Sequence, residues 1–230
     1  MNILLIIPAR CGSKGIVFKN IADLCGKSLI QYTIDVALKL KSNNLINNVI
    51  VSTDCEKIAD ISRKLGVNVP FIRPISISGD KAKSVNYILH ALEYFKKLGI
   101  NYDSVIILQP TSPLRTYDDV VKSIDIFLQN SNDSLISVYK EETVSDLIMY
   151  GKYREFAMPL NKNHNKGVRR QEHGSIYIRN GAIYIVKVDY IKRERKMISN
   201  TPLMYSMNKN SSINIDSLED LEYARNLLCK

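Results

Sequence analysis

Buried-looking runs and helical stripes alternate along the first 140 residues of the chain. Leu4, Leu5, Ile6 and Ile7 form an unbroken apolar run, the pattern of a strand covered on both faces. From Ser28, "SLIQYTIDVALKLKS" places Leu29, Ile30, Ile34, Ala37, Leu38 and Leu40 at spacings of three and four, which predicts a helix. "NVIVST" (48–53) is a β-branched run ending on Asp54, and "CEKIADISRKLG" reads as a helix stopped by Gly66. "VNVPFIR" (67–73) predicts a weaker strand. "SVNYILHALEYFKKLG" predicts a helix N-capped by Ser84 and ended by Gly99. "DSVIILQ" (103–109), "YDDVVKSIDIFLQN" and "SLISVY" (134–139) continue the rhythm as strand, helix and strand.

Short strands alternating with helices of ten to sixteen residues predict βαβ units, hence an α/β Rossmann-like fold with a mostly parallel sheet. Ligands bind such sheets beyond the carboxyl ends of the strands. Arg10, Asp54 and Gln109 all stand there. From about 140 to 210 the rhythm is lost in a polar stretch rich in Asn, Lys and Tyr. Within it, two alternating runs flank Asn180-Gly181 in "IYIRNGAIYI" (176–185), which in isolation reads as a β-hairpin. Near the end, Ser217 and Asp220 have the spacing of a capping box.

Composition narrows the function. A chain of 230 residues with 45% apolar and 24% charged residues is expected to form one domain with a sizeable core. No apolar stretch has the length of a membrane span, and Met1-Asn2-Ile3-Leu4 lacks a signal peptide's basic start, so a cytoplasmic protein is expected. Cys11, Cys25, Cys55 and Cys229 show no metal-binding spacing and read as free thiols. The histidines (His90, His164, His173) are scattered. The net charge of +9 fits an anionic partner. Its clusters (10–27, 162–170 and 192–196) are separate and not interleaved with aromatics, which argues against a nucleic-acid platform.

The chemistry concentrates behind the first strand. "DLCGKS" ends like a phosphate-binding Walker A loop, but Ile21 stands where that loop needs its first glycine, and "CGSKG" is not G-x-G-x-x-G. What remains is a strand followed by P-A-R-x-G-S-K-G-x-x-x-K-N. Gly12 and Gly15 let backbone N–H groups curl toward phosphate oxygens. Arg10, Lys14, Lys19 and, further on, Lys27 supply positive charge. The pattern predicts a polyphosphate site.

These residues resemble the CMP-sialic acid synthetases (N-acylneuraminate cytidylyltransferases) and the related synthetases for other 2-keto-3-deoxy acids. The resemblance covers nearly the whole chain. It rests on "IPARCGSKGIVFKN" (7–20), "IVSTD" (50–54), "IRP" (72–74), "LQPTSPLR" (108–115), "RRQ" (169–171), "NGAIYI" (180–185) and "INIDSLEDLE" (213–222), in that order. It implies that CMP passes from CTP to the anomeric hydroxyl of an acidic nine-carbon sugar, with release of pyrophosphate and help from Mg²⁺ or Mn²⁺. By the resemblance Arg10, Lys19 and Asp216 are catalytic. Ala9, Arg10, Gly12, Ser13, Asn20, Arg73 and Ser84 meet the nucleotide, and Gln109, Arg169, Arg170, Gln171, Tyr177 and Asn180 meet the sugar. It also implies a homodimer, built by an arm at about 140–185 that packs on the partner; that arm competes with the isolated hairpin.

The chain departs from the family in two places. The D-x-D metal motif reads Asn214-Ile215-Asp216 here, so an amide replaces the first carboxylate. That predicts weaker metal affinity before the nucleotide arrives, because Mg²⁺ prefers hard anionic oxygens. In "TVSDLIM" (143–149) Asp146 stands where bacterial sialic acid enzymes often carry a proline and a basic residue, which points toward a relative such as legionaminic acid. Pseudaminic acid and KDO (3-deoxy-manno-octulosonate) are the other acceptors to weigh. A rival of another class is a nucleotide sensor that lost catalysis through Asn214. It would bind CTP without releasing pyrophosphate.

Overall fold

The computed structural model describes residues 1–12, 15–142, 144–166 and 175–229. In chain order it begins with β1 (Ile3–Pro8), the two-residue strands β2 (Asp23–Leu24) and β3 (Lys27–Ser28), and α1 (Leu29–Ser42). Then follow β4 (Asn48–Ser52), α2 (Glu56–Lys64), α3 (Ser84–Lys97), β5 (Ser104–Leu108), α4 (Tyr117–Leu128) and β6 (Ser134–Glu141). The small strands β7 (Tyr150–Tyr153) and β8 (Phe156–Pro159) precede β9 (Ile176–Lys187), α5 (Val188–Glu194), β10 (Leu203–Met207) and α6 (Leu218–Leu228).

The central sheet has the order β10-β6-β9-β5-β1-β4. β1 lies between β4 and β5, parallel to both, with Ile6 opposite Ile50 on one side and Ile107 on the other. β9 runs antiparallel to β5 and β6, while β10 runs parallel to β6. The mostly parallel α/β architecture expected from the alternation is the one observed. Both faces of the sheet are covered, which explains why β1 is apolar at every position rather than every second one. Ile3, Leu5 and Ile7 pack with Ile34 and Leu40 of α1, Ile58 of α2 and Phe127 of α4. Leu4 and Ile6 face Ile88 and Phe95 of α3 and Ile191 of α5.

Local signals explain several boundaries. Gly66 and Gly99 adopt positive φ (+86° and +76°) immediately after the caps of α2 and α3, where a side chain would be strained. The capping boxes of α4 (Thr116 with Asp119) and α6 (Ser217 with Asp220) are both formed. Other expectations are corrected. Residues 67–73 contribute only the isolated bridges Ile50–Asn68 and Thr53–Ile72, in line with Pro70 interrupting the run. Ser84 is the first residue of α3 rather than its cap; Lys83 holds the cap position, without a side-chain bond.

The hairpin at Asn180-Gly181 does not form. Residues 176–187 are one long strand, and the special conformation is absorbed inside it: Gly181 has φ +78° where the pairing with β6 shifts register between Ile136 and Val138. Asn180 turns its amide into the interior, where it is satisfied by Ser137, Ser212 and Met207. The reading of four free thiols is corrected as well. Cys25 and Cys229 form a disulfide with Cα atoms 5.6 Å apart, because the C-terminal end of α6 packs against the β2–β3 turn. Cys11 and Cys55 are free. No helix among the described residues is long and apolar enough to cross a membrane.

Candidate active site

The chain leaves β1 through a loop anchored at successive points. The Ala9 N–H donates to the Ser52 carbonyl (3.0 Å), and the Cys11 N–H to Asp54 Oδ1 (2.8 Å). Buried Asn20 returns to donate its Nδ2 to the Arg10 carbonyl (3.0 Å). Gly15 lies against the backbone of the C-terminal segment, so tightly that a Cβ there would collide with the Asp216 carbonyl. Glycine at position 15 is therefore a matter of close approach. Gly12 has open space around its Cα and needs no such explanation. Lys19 crosses the same gap, donating its Nζ to the Ile215 carbonyl and to Asp216 Oδ1, both at 2.8 Å.

These elements wall a cleft of about 460 Å³ beyond the carboxyl ends of β1 and β5. Arg10, Lys19 and Arg73 bring positive charge to it, and Asp80 and Asp216 are its carboxylates. Arg10 and Asp80 pair at 2.7 Å with both side chains partly open to solvent. Arg73 is different. Its side chain is only 4% exposed, lies over the Tyr87 ring at 5.5 Å and approaches Asp54 Oδ1 at 3.7 Å. Burial lowers its pKa against the opposing pull of Asp54. Its Nε and Nη2 are buried and have no hydrogen-bond partner among the described residues. Arg73 nonetheless lines the cleft, where its charge can meet a ligand. Tyr87 beside it is held protonated by burial, with its pKa pushed up to about 12.

Gln109, just past β5, also lines a second cavity of about 380 Å³, together with Tyr139, Arg179, Tyr184 and Asn214. The wall between the two hollows is thus Gln109 on one side and the Asn214–Asp216 segment on the other. That segment is held from three directions. The Ile215 N–H donates to the Thr111 carbonyl (2.8 Å), the Asp216 N–H donates to Asp220 Oδ2 (2.9 Å), and Asn214 donates its Nδ2 to Asp216 Oδ2 (2.5 Å).

Of the residues chosen from sequence, Arg10, Lys19, Asn20, Arg73, Ser84, Gln109 and Asp216 line the first cleft, while Asn180 and Asn214 line the second cavity. Ala9 is buried at the strand end. Tyr177 is exposed on β9 opposite Lys140 and lines neither space. Ser13, Lys14, Arg169, Arg170 and Gln171 lie outside the described residues. Lys27 pairs with Asp35 on α1 and is not part of the cleft wall. Asp146 accepts a bond from Asn161 within the excursion between β6 and β9.

Sequence reasoning missed Asp80, Tyr87, Thr111, Arg179 and Tyr184, and it gave Asp54 and Arg115 no role of their own. Asp54 in "IVSTD", Thr111 and Arg115 in "LQPTSPLR" and Tyr184 in "NGAIYI" lay inside the segments that carry the resemblance, whereas Asp80, Tyr87 and Arg179 carried no such signal. The donor set suits a divalent cation of the Mg²⁺ kind: one exposed carboxylate, Asp216, stands beside a space that can hold phosphates. Asn214 turns its nitrogen toward that carboxylate, so it orients Asp216 and adds no charge. Among the described residues no group of three or more His, Cys, Asp or Glu forms a self-sufficient metal site.

The sequence model of a family described as cytidylyltransferase matches residues 4–230. An N-acylneuraminate cytidylyltransferase of Escherichia coli O18:K1:H7 is 31% identical over 97% of this chain, which spans about half of that protein (51%). A pseudaminic acid cytidylyltransferase of Campylobacter jejuni is 31% identical over 98% of this chain and 95% of its own length. A CMP-N,N'-diacetyllegionaminic acid synthase of Legionella pneumophila is 29% identical over 99% of this chain and 97% of its own. Among solved structures, a CMP:2-keto-3-deoxy-manno-octonic acid synthetase complexed with CTP shares the fold. It superposes with TM-score 0.72 at 17% identity, covering 100% of this chain and 99% of that one.

Proposed function

Because the chain belongs to the cytidylyltransferase family, we propose that it transfers CMP from CTP to the anomeric hydroxyl of an acidic nine-carbon keto-deoxy sugar. The sugar hydroxyl gives up its proton and its oxygen bonds to the α-phosphorus. The bond to the β-phosphate bridging oxygen breaks, and pyrophosphate leaves with the electron pair. The observation that carries this reading is the pair of hollows joined at Gln109. Among the described residues, one is lined by the cations Arg10, Lys19 and Arg73, and the other by Arg179 among mainly neutral polar groups.

Arg10 and Lys19 stand where the triphosphate's charge would be met, and their fixed positions favour the extra charge that gathers in the transition state. Arg73, which lines the cleft with Tyr87 and Ser84, suits the acceptor atoms of a cytosine ring. Gln109 faces both substrates. Asp216 is the residue that would hold Mg²⁺ or Mn²⁺, with Asn214 fixing its direction. When bound, such an ion supplies Lewis acidity to phosphate oxygens.

Assembly as a homodimer is part of the proposal. Between β6 and β9 the chain leaves the sheet and forms the β7–β8 hairpin, a separate two-stranded unit. Ile148, Tyr153, Phe156, Met158 and Leu160 are all more than half exposed on this excursion. The excursion leaves from β6 and β9, whose Tyr139 and Arg179 line the second cavity, and an apolar surface of that kind is suited to a second copy of the chain, whose excursion would in turn close the cavity. We place the reaction in the cytoplasm. In its reducing conditions Cys25 and Cys229 would be thiols, and α6 would keep its capping box and the bond from Arg225 Nη2 to the Asp23 carbonyl (2.9 Å).

The test is pyrophosphate release from CTP and Mg²⁺ with N-acetylneuraminic, legionaminic and pseudaminic acids and KDO as acceptors. Release with one of them establishes the reaction and names the acceptor. Silence across the panel with CTP binding intact would instead make the chain a nucleotide sensor, the reading that the Asn214 departure favours.

A further inference from the structure

Arg115 lies just before α4 and its side chain is 3% exposed. Its Nη1 donates to the carbonyls of Gln109 (3.2 Å) and Ala182 (2.9 Å), and its Nη2 to Thr33 Oγ1 on α1 (2.7 Å). Among the described residues no carboxylate forms an ion pair with it. Asp119 acts on it only as a favourable charge, and burial takes its pKa down to about 9. A buried cation with no counter-ion is costly, and apolar residues of similar volume commonly do as well or better for stability. What an apolar side chain cannot do is grip two carbonyls and a hydroxyl at once.

The two carbonyls belong to the two sides of one contact. Gln109 is shared by the nucleotide cleft and the second cavity. Opposite it, Gly181, the neighbour of Ala182, approaches so closely that a Cβ on it would lie 3.3 Å from Gln109 Oε1. Arg115 therefore fixes the end of β5 against the irregular point of β9, and that is where the Gln109 amide passes between the hollows. Thr33, whose hydroxyl also reaches toward the Gln109 carbonyl at 3.5 Å, references both to α1.

We propose that Arg115 is a positioning residue, set behind the site to hold the Gln109 amide on the wall between the two hollows, where it orients the acceptor. This inference rests on the proposed reaction for its kinetic consequence and on geometry alone for the placement of Gln109. Misplacing a substrate-orienting group by about 1 Å can cost on the order of 10²-fold in rate. Arg115→Met is expected to raise the acceptor KM at least about tenfold and to lower kcat, while the Kd for CTP alone changes by less than about threefold.

The deciding measurement is a double-mutant cycle with Gln109→Ala. If Arg115 works through Gln109, the pair will be scarcely worse than Gln109→Ala alone. Multiplying effects, or equal losses in CTP binding and acceptor KM, would reduce Arg115 to a packing residue and overturn the proposal. Should Arg115→Met fail to fold, Arg115→Lys keeps the charge but cannot reach all three acceptors, and the cycle is run with it. The NMR signals of the Gln109 side-chain amide give a readout without turnover. They are expected to shift or broaden in Arg115→Lys, and unchanged signals would overturn the placement. An enzyme silent with every acid sugar would sink the reaction while these signals still decide the positioning.

Discussion

The two hollows of the site are built by opposite means. The proposed nucleotide side is closed by the chain's own interior: Asn20 and Arg73 are buried, Gly15 touches backbone, and Lys19 bridges to Asp216. The proposed acceptor side is lined from β6 and β9, and the excursion that joins those strands carries apolar side chains that face solvent. The contrast fits the proposal that one half is fixed by folding, whereas the other is completed by a second copy of the chain. If that is right, substitutions on the two sides will separate cleanly in their effects on CTP and on the sugar.

The largest separation is expected from Arg10→Ala. Its ion pair with Asp80 is half open to solvent, so the fold should lose little. Removing a fixed charge beside the reacting phosphates is expected to lower kcat/KM by about 10²- to 10³-fold. Steady-state kinetics alongside a thermal melt decides it: full activity would show that the cleft is not the phosphate site. Next comes Phe156→Glu on the exposed hairpin. It is expected to dissociate the dimer in analytical ultracentrifugation and to raise the acceptor KM about tenfold, leaving the CTP Kd in place. A dimer that survives with normal kinetics would mean that the acceptor side is complete within one chain.

A smaller effect tests the boundary between the sides. Asn214→Asp adds a second carboxylate oxygen pair beside Asp216 and is expected to lower the Mg²⁺ concentration for half activity several-fold. No shift would mean that residue 214 serves only to orient its neighbour.

The same division governs what could be read from the sequence. Elements with a period were legible: the buried run of β1, the helical stripe of α1 and the capping box of α6 all stand where the pattern puts them. The glycine- and cation-rich loop announced a ligand because its spacing has a physical meaning at the end of a parallel strand. Gly181 misled because positive φ serves a turn and a bulge equally, and only the partner strand β6 decides between them. Asp54 and Arg115 carry no period at all. Their roles depend on backbone groups 43 and 67 residues away in the chain, Cys11 N–H and the Ala182 carbonyl. The Cys25–Cys229 bond spans 204 residues and was hidden for the same reason.

The smallest effect probes how the nucleotide side is fastened. Asp220 Oδ2 accepts bonds from the Asp216 N–H, the Ser217 N–H and the Ser217 hydroxyl. Burial pushes its carboxyl pKa up, but those bonds and the charge of Lys19 outweigh it and hold the group below its ordinary 3.8. The folded state therefore favours the carboxylate more than the unfolded chain does. The stabilisation is fully present above the unfolded value and is lost as pH falls through the folded one. Asp220→Asn keeps the shape but weakens the capping box, at a cost of about 1 kcal/mol at neutral pH. Urea denaturation should show that difference at pH 7, and the difference should shrink as the pH falls below 3.8 and through the folded pKa. An equal loss throughout would show that the bonds to Asp216 and Ser217 do not depend on the charge. The closed side of the site would then be fastened by hydrogen bonds and packing that do not depend on the Asp220 charge.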